Sequence, residues 1–284
     1  QGIRRGEVKK LLVLEQLPKP ANFSGGQEPL TIGGTFTLQR IIGTVPVEED
    51  GSAYMELPAA RSLFFVALDE NDLSVKRMQS FVTVQPGETT SCVGCHEQRT
   101  RAPHPRPTNT LLAMQRPASR PLPIPGIPDV LDFPRDVQPI LDRHCAECHR
   151  ADRREGGVDL SGDHTPLYST AYWTLFSHGL VVDGRNKHGN RPPRAIGTSA
   201  SRLMTLLDGS HFDAAPSDHE RTVVRLWIES GAVYPGTYAA LGSGMYPVKF
   251  PEATMKARCG QCHKATKASY RNVKAGAFYF QFGS

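Results

Sequence analysis

All six cysteines of the chain fall in pairs, and each pair is followed at once by a histidine. The runs are "CVGCH" (Cys92, Cys95, His96), "CAECH" (Cys145, Cys148, His149) and "CGQCH" (Cys259, Cys262, His263). The C-x-x-C spacing alone suits a redox dithiol, half of a zinc ribbon or a haem anchor. Zinc joins two such pairs around one ion, so three pairs leave one unmatched, and zinc gives no reason for a histidine after each. With ten histidines in 284 residues, three such placements by chance have a probability on the order of 10⁻⁴ or less from composition alone. The pattern is that of c-type haem attachment, in which two thiols form thioethers to the porphyrin and the histidine gives iron one axial nitrogen. The sequence therefore predicts three covalently bound haem c groups, with His96, His149 and His263 as the proximal ligands.

The second axial ligand decides whether an iron is closed for electron transfer or open to substrate. Seven histidines remain for that role: His104, His144, His164, His178, His188, His211 and His219. For the second haem the expected ligand is His211 in "DGSHFD", just before the closing helix, where single-haem cytochrome domains place their sixth ligand. Met204 in "SRLMTLL" is the rival, although leucines at helical spacing around it suit plain core packing. For the first haem, His144 abuts the second motif and His104 follows His96 by eight residues; both are candidates. No histidine follows His263. The third haem is thus expected to draw its ligand from upstream, from Met245, Met255 or a tyrosine, from another chain, or to lack one. His164, His178, His188 and His219 read as surface or loop histidines.

The elements that must position these groups change character along the chain. Residues 1–91 read as β structure, since "TFTLQRIIGTVPV", "SAYMELPA", "SLFFVALDE" and "VKRMQSFVTV" are rich in β-branched and aromatic residues and are separated by turn signals. The expected fold is mixed: an N-terminal antiparallel β-sandwich-like or barrel-like module over 1–101, ending in the first haem motif, followed by a mainly α, loop-rich cytochrome c-type region. The module up to residue 91 has no histidine, so its expected role is packing, assembly or partner contact, with hydrophobic strand edges as templates for pairing with another chain. Residues 102–130 are dense in proline and read as a linker. Residues 131–235 are expected to form a cytochrome c-like domain. Pro139 suits a first helical turn and Ile140, Leu141, His144, Cys145 and Cys148 recur at helical spacing. "SDHERTVVRLWIESGA" begins with Ser217 and Glu220 in capping-box spacing, buries Val223, Leu226 and Trp227, and stops at Gly231. The segment 236–284 carries the third motif.

Hydrophobic content is 39%, and 26 glycines with 23 prolines mark a loop-rich chain, so three apolar macrocycles would supply core that side chains do not. The formal charge of +5 falls to about +2 with three oxidised haems and about −1 with three reduced ones, once propionates and iron are counted. That balance argues against nucleic acid as a partner. No run of 18 apolar residues appears, which argues against a membrane-spanning helix. Haem is attached to C-x-x-C-H outside the cytoplasm, so an exported chain, periplasmic or extracellular, is expected, with a leader or a longer upstream part absent from this numbering.

Longer phrases carry a family resemblance. "GIRRGEVKKLLVLEQLPKPANFSGG" and "GTVPVEEDGSAYMELPAARSLFFVALDENDLSVKRMQSFVTVQPGETTSCVGCHEQRT" resemble the middle domain of hydrazine synthase alpha subunits and related exported multihaem proteins. "FPRDVQPILDRHCAECHR", "DGRNKHGNRPPRAIGTSASRLMTLLDGSHFD" and "RLWIESGAVYPGTYAALGSGM" resemble the cytochrome domain that follows it. The resemblance implies a β module carrying the first haem and then an electron-transfer haem domain. In the synthase a tyrosine four residues after the first motif's histidine binds iron; this chain has Thr100 there, so His96 is expected to bind iron instead. The expected function is electron transfer by a triheme cytochrome with mostly bis-histidine irons. It would serve redox partner proteins or extracellular acceptors, as a homo-oligomer or a filament with haem ligands donated between subunits. The alternative is a haem enzyme, or a fragment of a hydrazine synthase-like enzyme, with one open iron site.

Overall fold

The computed structural model of the chain describes residues 2–19, 30–32, 35, 37–78, 80–93, 111–163, 168–182, 191–212 and 214–238. Cys95, His96, His104, Cys259, Cys262 and His263 lie outside the described residues, as do Thr100, Met245 and Met255. Four strands form one antiparallel sheet in the order β2-β1-β3-β4: β1 is Lys10–Gln16, β2 Gln39–Pro46, β3 Leu63–Leu68 and β4 Ser74–Arg77. The central strand β1, "KLLVLEQ", reads as an apolar run rather than an alternation because Leu12, Val13 and Leu14 are all fully buried. Across the sheet, Leu12 pairs with Thr44 and Val66, and Leu14 with Ile41 and Phe64. The register with β2 shifts between Val13 and Leu14, leaving Ile42 as the extra residue of a bulge.

The β content agrees with the sequence reading, but its layering does not. Among the described residues there is one sheet, not two facing sheets. "SAYMELPA" contributes a single bridge, Met55 to Ser119, and "VKRMQSFVTV" contributes β4 and the bridge from Val82 to Leu63. The second layer is helical instead: Leu12, Leu14, Phe64, Val66 and Leu68 share one hydrophobic cluster with Ile140, Leu141, Tyr172 and Trp227. Helices on one face of an antiparallel sheet remove the need for a second sheet.

Parts of both outer strands are already engaged within the chain. Along β2, Thr44 and Leu122 exchange two backbone hydrogen bonds of 3.0 and 2.9 Å. Gly43, at φ +146°, lets the linker approach there, since a Cβ would collide with the Leu122 carbonyl. Along β4, Arg194 N donates to the Val75 carbonyl at 2.9 Å, Ser74 N to Thr198 Oγ1 at 2.8 Å, and Lys76 Nζ to the Arg191 carbonyl. The sequence did not show that the linker and a distant loop would occupy these edges.

Among the described residues four α-helices make the other layer: α1 Gln138–His144, α2 Thr170–Ser177, α3 Arg202–Leu206 and α4 Asp218–Glu229. A π-type turn at Phe133–Val137 leads into α1, capped by Asp132, and Pro139 lies in the first turn of α1. Helix α4 has the expected capping box between Ser217 and Glu220, and it buries Val223, Leu226 and Trp227. Beyond α4 the chain turns at Gly231, φ +95°. Trp227 Nε1 holds the Val233 carbonyl at 2.8 Å and the Tyr172 hydroxyl the Ala232 carbonyl at 2.6 Å. Among the described residues no helix is long and apolar enough to cross a membrane.

Candidate functional site

The second cysteine pair stands where α1 ends. Cys145 N continues the helix by donating to the Leu141 carbonyl at 2.8 Å, and His149 N donates to the Cys145 carbonyl at 3.0 Å, so the motif is wound as a further turn. Leu160 N then donates to the His149 carbonyl at 2.7 Å, closing a loop behind the histidine. Cys145 and Cys148 are unbridged. Burial, with Cys148 beside it, pushes the Cys145 thiol up to about 11. Reactive dithiols work by lowering a cysteine's pKa, so this environment disfavours redox exchange and leaves a half-buried, protonated thiol beside apolar side chains.

His211 lies between α3 and α4 and faces this motif. The His149 and His211 rings have centroids 6.0 Å apart and planes within 12° of parallel. A metal–imidazole bond of about 2 Å, with roughly 1 Å more from nitrogen to ring centre, sets trans imidazoles on one metal about 6 Å apart. His149 Nδ1 is buried without a hydrogen-bond partner. The donor set therefore fits a c-type haem: two thiols on one short turn, and two imidazoles at the separation of axial ligands. Among the described residues no three His, Cys, Asp or Glu side chains converge as a metal site by themselves. In-plane donors would have to come with the cofactor.

The other candidates are placed differently. Met204, on α3, packs partly buried against the hydrophobic core, as its leucine neighbours suggested. His144 turns to α4, with Nε2 3.3 Å from Glu220 Oε2, and Arg143 donates to the same carboxylate at 2.6 Å. Burial pushes the Glu220 carboxyl up, but hydrogen bonds from Arg143, Ser217 and His144 outweigh it and hold the group at about 2. Cys92 is exposed; its partners in the first motif, and the whole of the third, lie outside the described residues, so the first-haem roles of His144 and His104 rest on the sequence.

One feature was missed by sequence reasoning. Glu229, at 0% exposure, accepts from Thr198 N at 2.7 Å and from Thr198 Oγ1 at 2.6 Å. Arg77 of β4 donates to the Glu229 carbonyl at 2.6 Å and to Gln39 Oε1 at 3.0 Å. The second Glu229 oxygen, Oε2, has no hydrogen bond and lies 3.8 Å from Arg77 Nη1, a charge contact rather than a bond. This buried node ties the sheet to α4. A carboxylate inside the apolar run "RLWIES" was the signal that could have revealed it.

Comparison with known proteins places the chain as follows. Residues 6–97 match the family model described as "Hydrazine synthase alpha subunit middle domain", so this region is hydrazine synthase alpha-like. A solved structure, Kuenenia stuttgartiensis hydrazine synthase, shares the fold with a TM-score of 0.57 at 20% identity, over 84% of this chain and 40% of that chain. The chain thus spans well under half the length of that relative. A search of the curated proteins found no match.

Proposed function

We propose that the chain is a haem-bearing, electron-relaying part of a hydrazine synthase-like enzyme, with Cys145, Cys148, His149 and His211 holding one of three covalent c-type haems. The observation that carries the reading is the pair of near-parallel imidazoles, 6.0 Å apart, at the turn that bears both thiols. When bound there, the haem supplies one-electron transfer between ferric and ferrous iron. The residues supply the rest. The thiols of Cys145 and Cys148 would anchor the macrocycle at the end of α1, where Cys145 packs against the hydrophobic cluster that includes Ile140, Leu141 and Leu203. His149 and His211 would both hold the iron, leaving it suited to passing electrons rather than to meeting substrate. An open iron for substrate chemistry belongs, on this reading, to the first or third motif; no histidine follows His263. Export to the periplasm or beyond follows from covalent haem attachment. The 131–235 region would be the cytochrome c-like domain, and 1–101, 102–130 and 236–284 the β module, linker and third-haem segment.

The conducting filament is the second reading, favoured by three haem motifs in one chain and by the lack of a histidine after His263. The resemblance to an enzyme supports it less. Electron microscopy of the native protein separates the two: long fibres with ligands shared between subunits favour the wire, and discrete particles the enzyme part.

The test of the haem site is His211→Ala in the holoprotein. One of three haems is expected to turn from low to high spin in the absorption and EPR spectra. An unchanged low-spin spectrum would falsify the assignment and bring Met204 forward.

A further inference from the structure

The residue after His211 is unusual in both backbone and surroundings. Phe212 has φ +46°, the left-handed region that a bulky side chain rarely enters, and it is 90% exposed. Burial of the ring therefore does not compensate the strain. Surface turns that need this conformation normally use glycine or asparagine. The ring nevertheless stands edge-to-face with the His211 imidazole, centroids 5.0 Å apart and planes at 84°. The turn is pinned on both sides: Ser210 N donates to Asp208 Oδ1 at 2.9 Å, and Ala214 N to the His211 carbonyl at 2.9 Å. Strained residues persist where the surroundings over-determine them, and they gather at functional sites.

We propose that Phe212 is a positioning residue for His211: its left-handed backbone and edge-to-face ring fix the rotation of the imidazole, holding its plane near-parallel to that of His149. This rests on the reading of His149 and His211 as ligands of one iron. An imidazole on a surface loop can rotate about its bond to a metal without losing that bond, so ligation alone does not set its plane. The plane matters electronically. Parallel imidazoles act on the same iron dπ orbital and split it from its partner, whereas crossed imidazoles leave the two nearly equal. The 12° between the His149 and His211 planes is the parallel case, and Phe212 is the neighbour whose ring contact selects it.

The experiment compares low-temperature EPR of the ferric holoprotein in the wild type and in the His211→Ala, Phe212→Ala, Phe212→Leu and Phe212→Tyr variants. The low-spin signal that His211→Ala removes belongs to the second haem. That signal is expected to be rhombic in the wild type and in Phe212→Tyr, which keeps the ring. In Phe212→Ala and Phe212→Leu it should become broad and strongly anisotropic while the iron stays low-spin and the other haem signals stay unmoved. Phe212→Leu keeps apolar bulk and the backbone demand, so it decides alone if the alanine variant does not hold its haems. A signal that stays rhombic in Phe212→Leu overturns the proposal. If His211→Ala removes no low-spin signal, the ligand reading itself fails, and the role of Phe212 falls with it.

Discussion

Glu229 and Thr198 are 31 residues apart, and Thr198 and Ser74 a further 124; at this scale the protein is held by polar atoms whose partners lie far away in sequence. Gly197, at φ +72°, is part of the arrangement, because a Cβ there would meet Ser74 Oγ at 2.5 Å and the Glu229 carboxylate at 2.8 Å. Removing the carboxylate leaves the Thr198 donors and the buried Arg77 guanidinium without it. Glu229→Ala is expected to cost about 3–5 kcal/mol, as breaking one side of a buried charge pair does. Urea denaturation of the holoprotein measures it; a loss below about 1 kcal/mol would mean that water takes over the carboxylate's role. The proposed haem residues were more legible. C-x-x-C-H declares itself in five consecutive letters, and His211 could be proposed from its place before a capped helix. Phe212 could not, because its significance lies in a backbone angle and a ring contact.

At the scale of elements, α1 and α4 were readable because their signals are local: proline in a first turn, a capping box, an apolar stripe. Strand β1 was harder. A central strand buried on both faces loses the alternation that marks half-buried strands, and "KLLVLEQ" looks as much like core helix as strand. "SAYMELPA" alternates well but lacks a neighbour to pair with beyond the bridge from Met55. The cap of α4 carries a prediction in pH. Glu220 accepts from Ser217 N at 2.8 Å and Ser217 Oγ at 2.9 Å, besides Arg143. Its folded carboxyl lies at about 2, below the ordinary 4.5, so the unfolded chain takes up the proton first as pH falls. The stability that Glu220 contributes is therefore complete above pH 4.5 and is lost as pH drops towards about 2. The difference in unfolding free energy between the wild type and Glu220→Gln should be flat above that window and shrink inside it. A difference that does not change with pH would contradict the assignment. Ser217→Ala, which removes the cap acceptor, should cost about 1 kcal/mol at neutral pH.

For the whole molecule, a single hydrophobic cluster that includes Leu12 and Phe64 of the sheet and Leu141, Tyr172 and Trp227 of the helices predicts one cooperative unfolding transition for the described part, rather than separate melting of a β module and a haem domain. Calorimetry of the holoprotein, or denaturation followed by both far-ultraviolet dichroism and haem absorption, checks this; transitions that do not coincide would mean that the two layers fold apart. The cluster has members on both sides of residue 101. The occupied sheet edges have a consequence for the life of the protein before it meets its partners. An exposed strand edge recruits neighbouring chains into cross-β deposits. Here, among the described residues, Leu122 pairs with Thr44 of β2, and Arg194 and Thr198 bond the backbone of β4, so a neighbouring chain would have to displace these contacts to add a strand at those points.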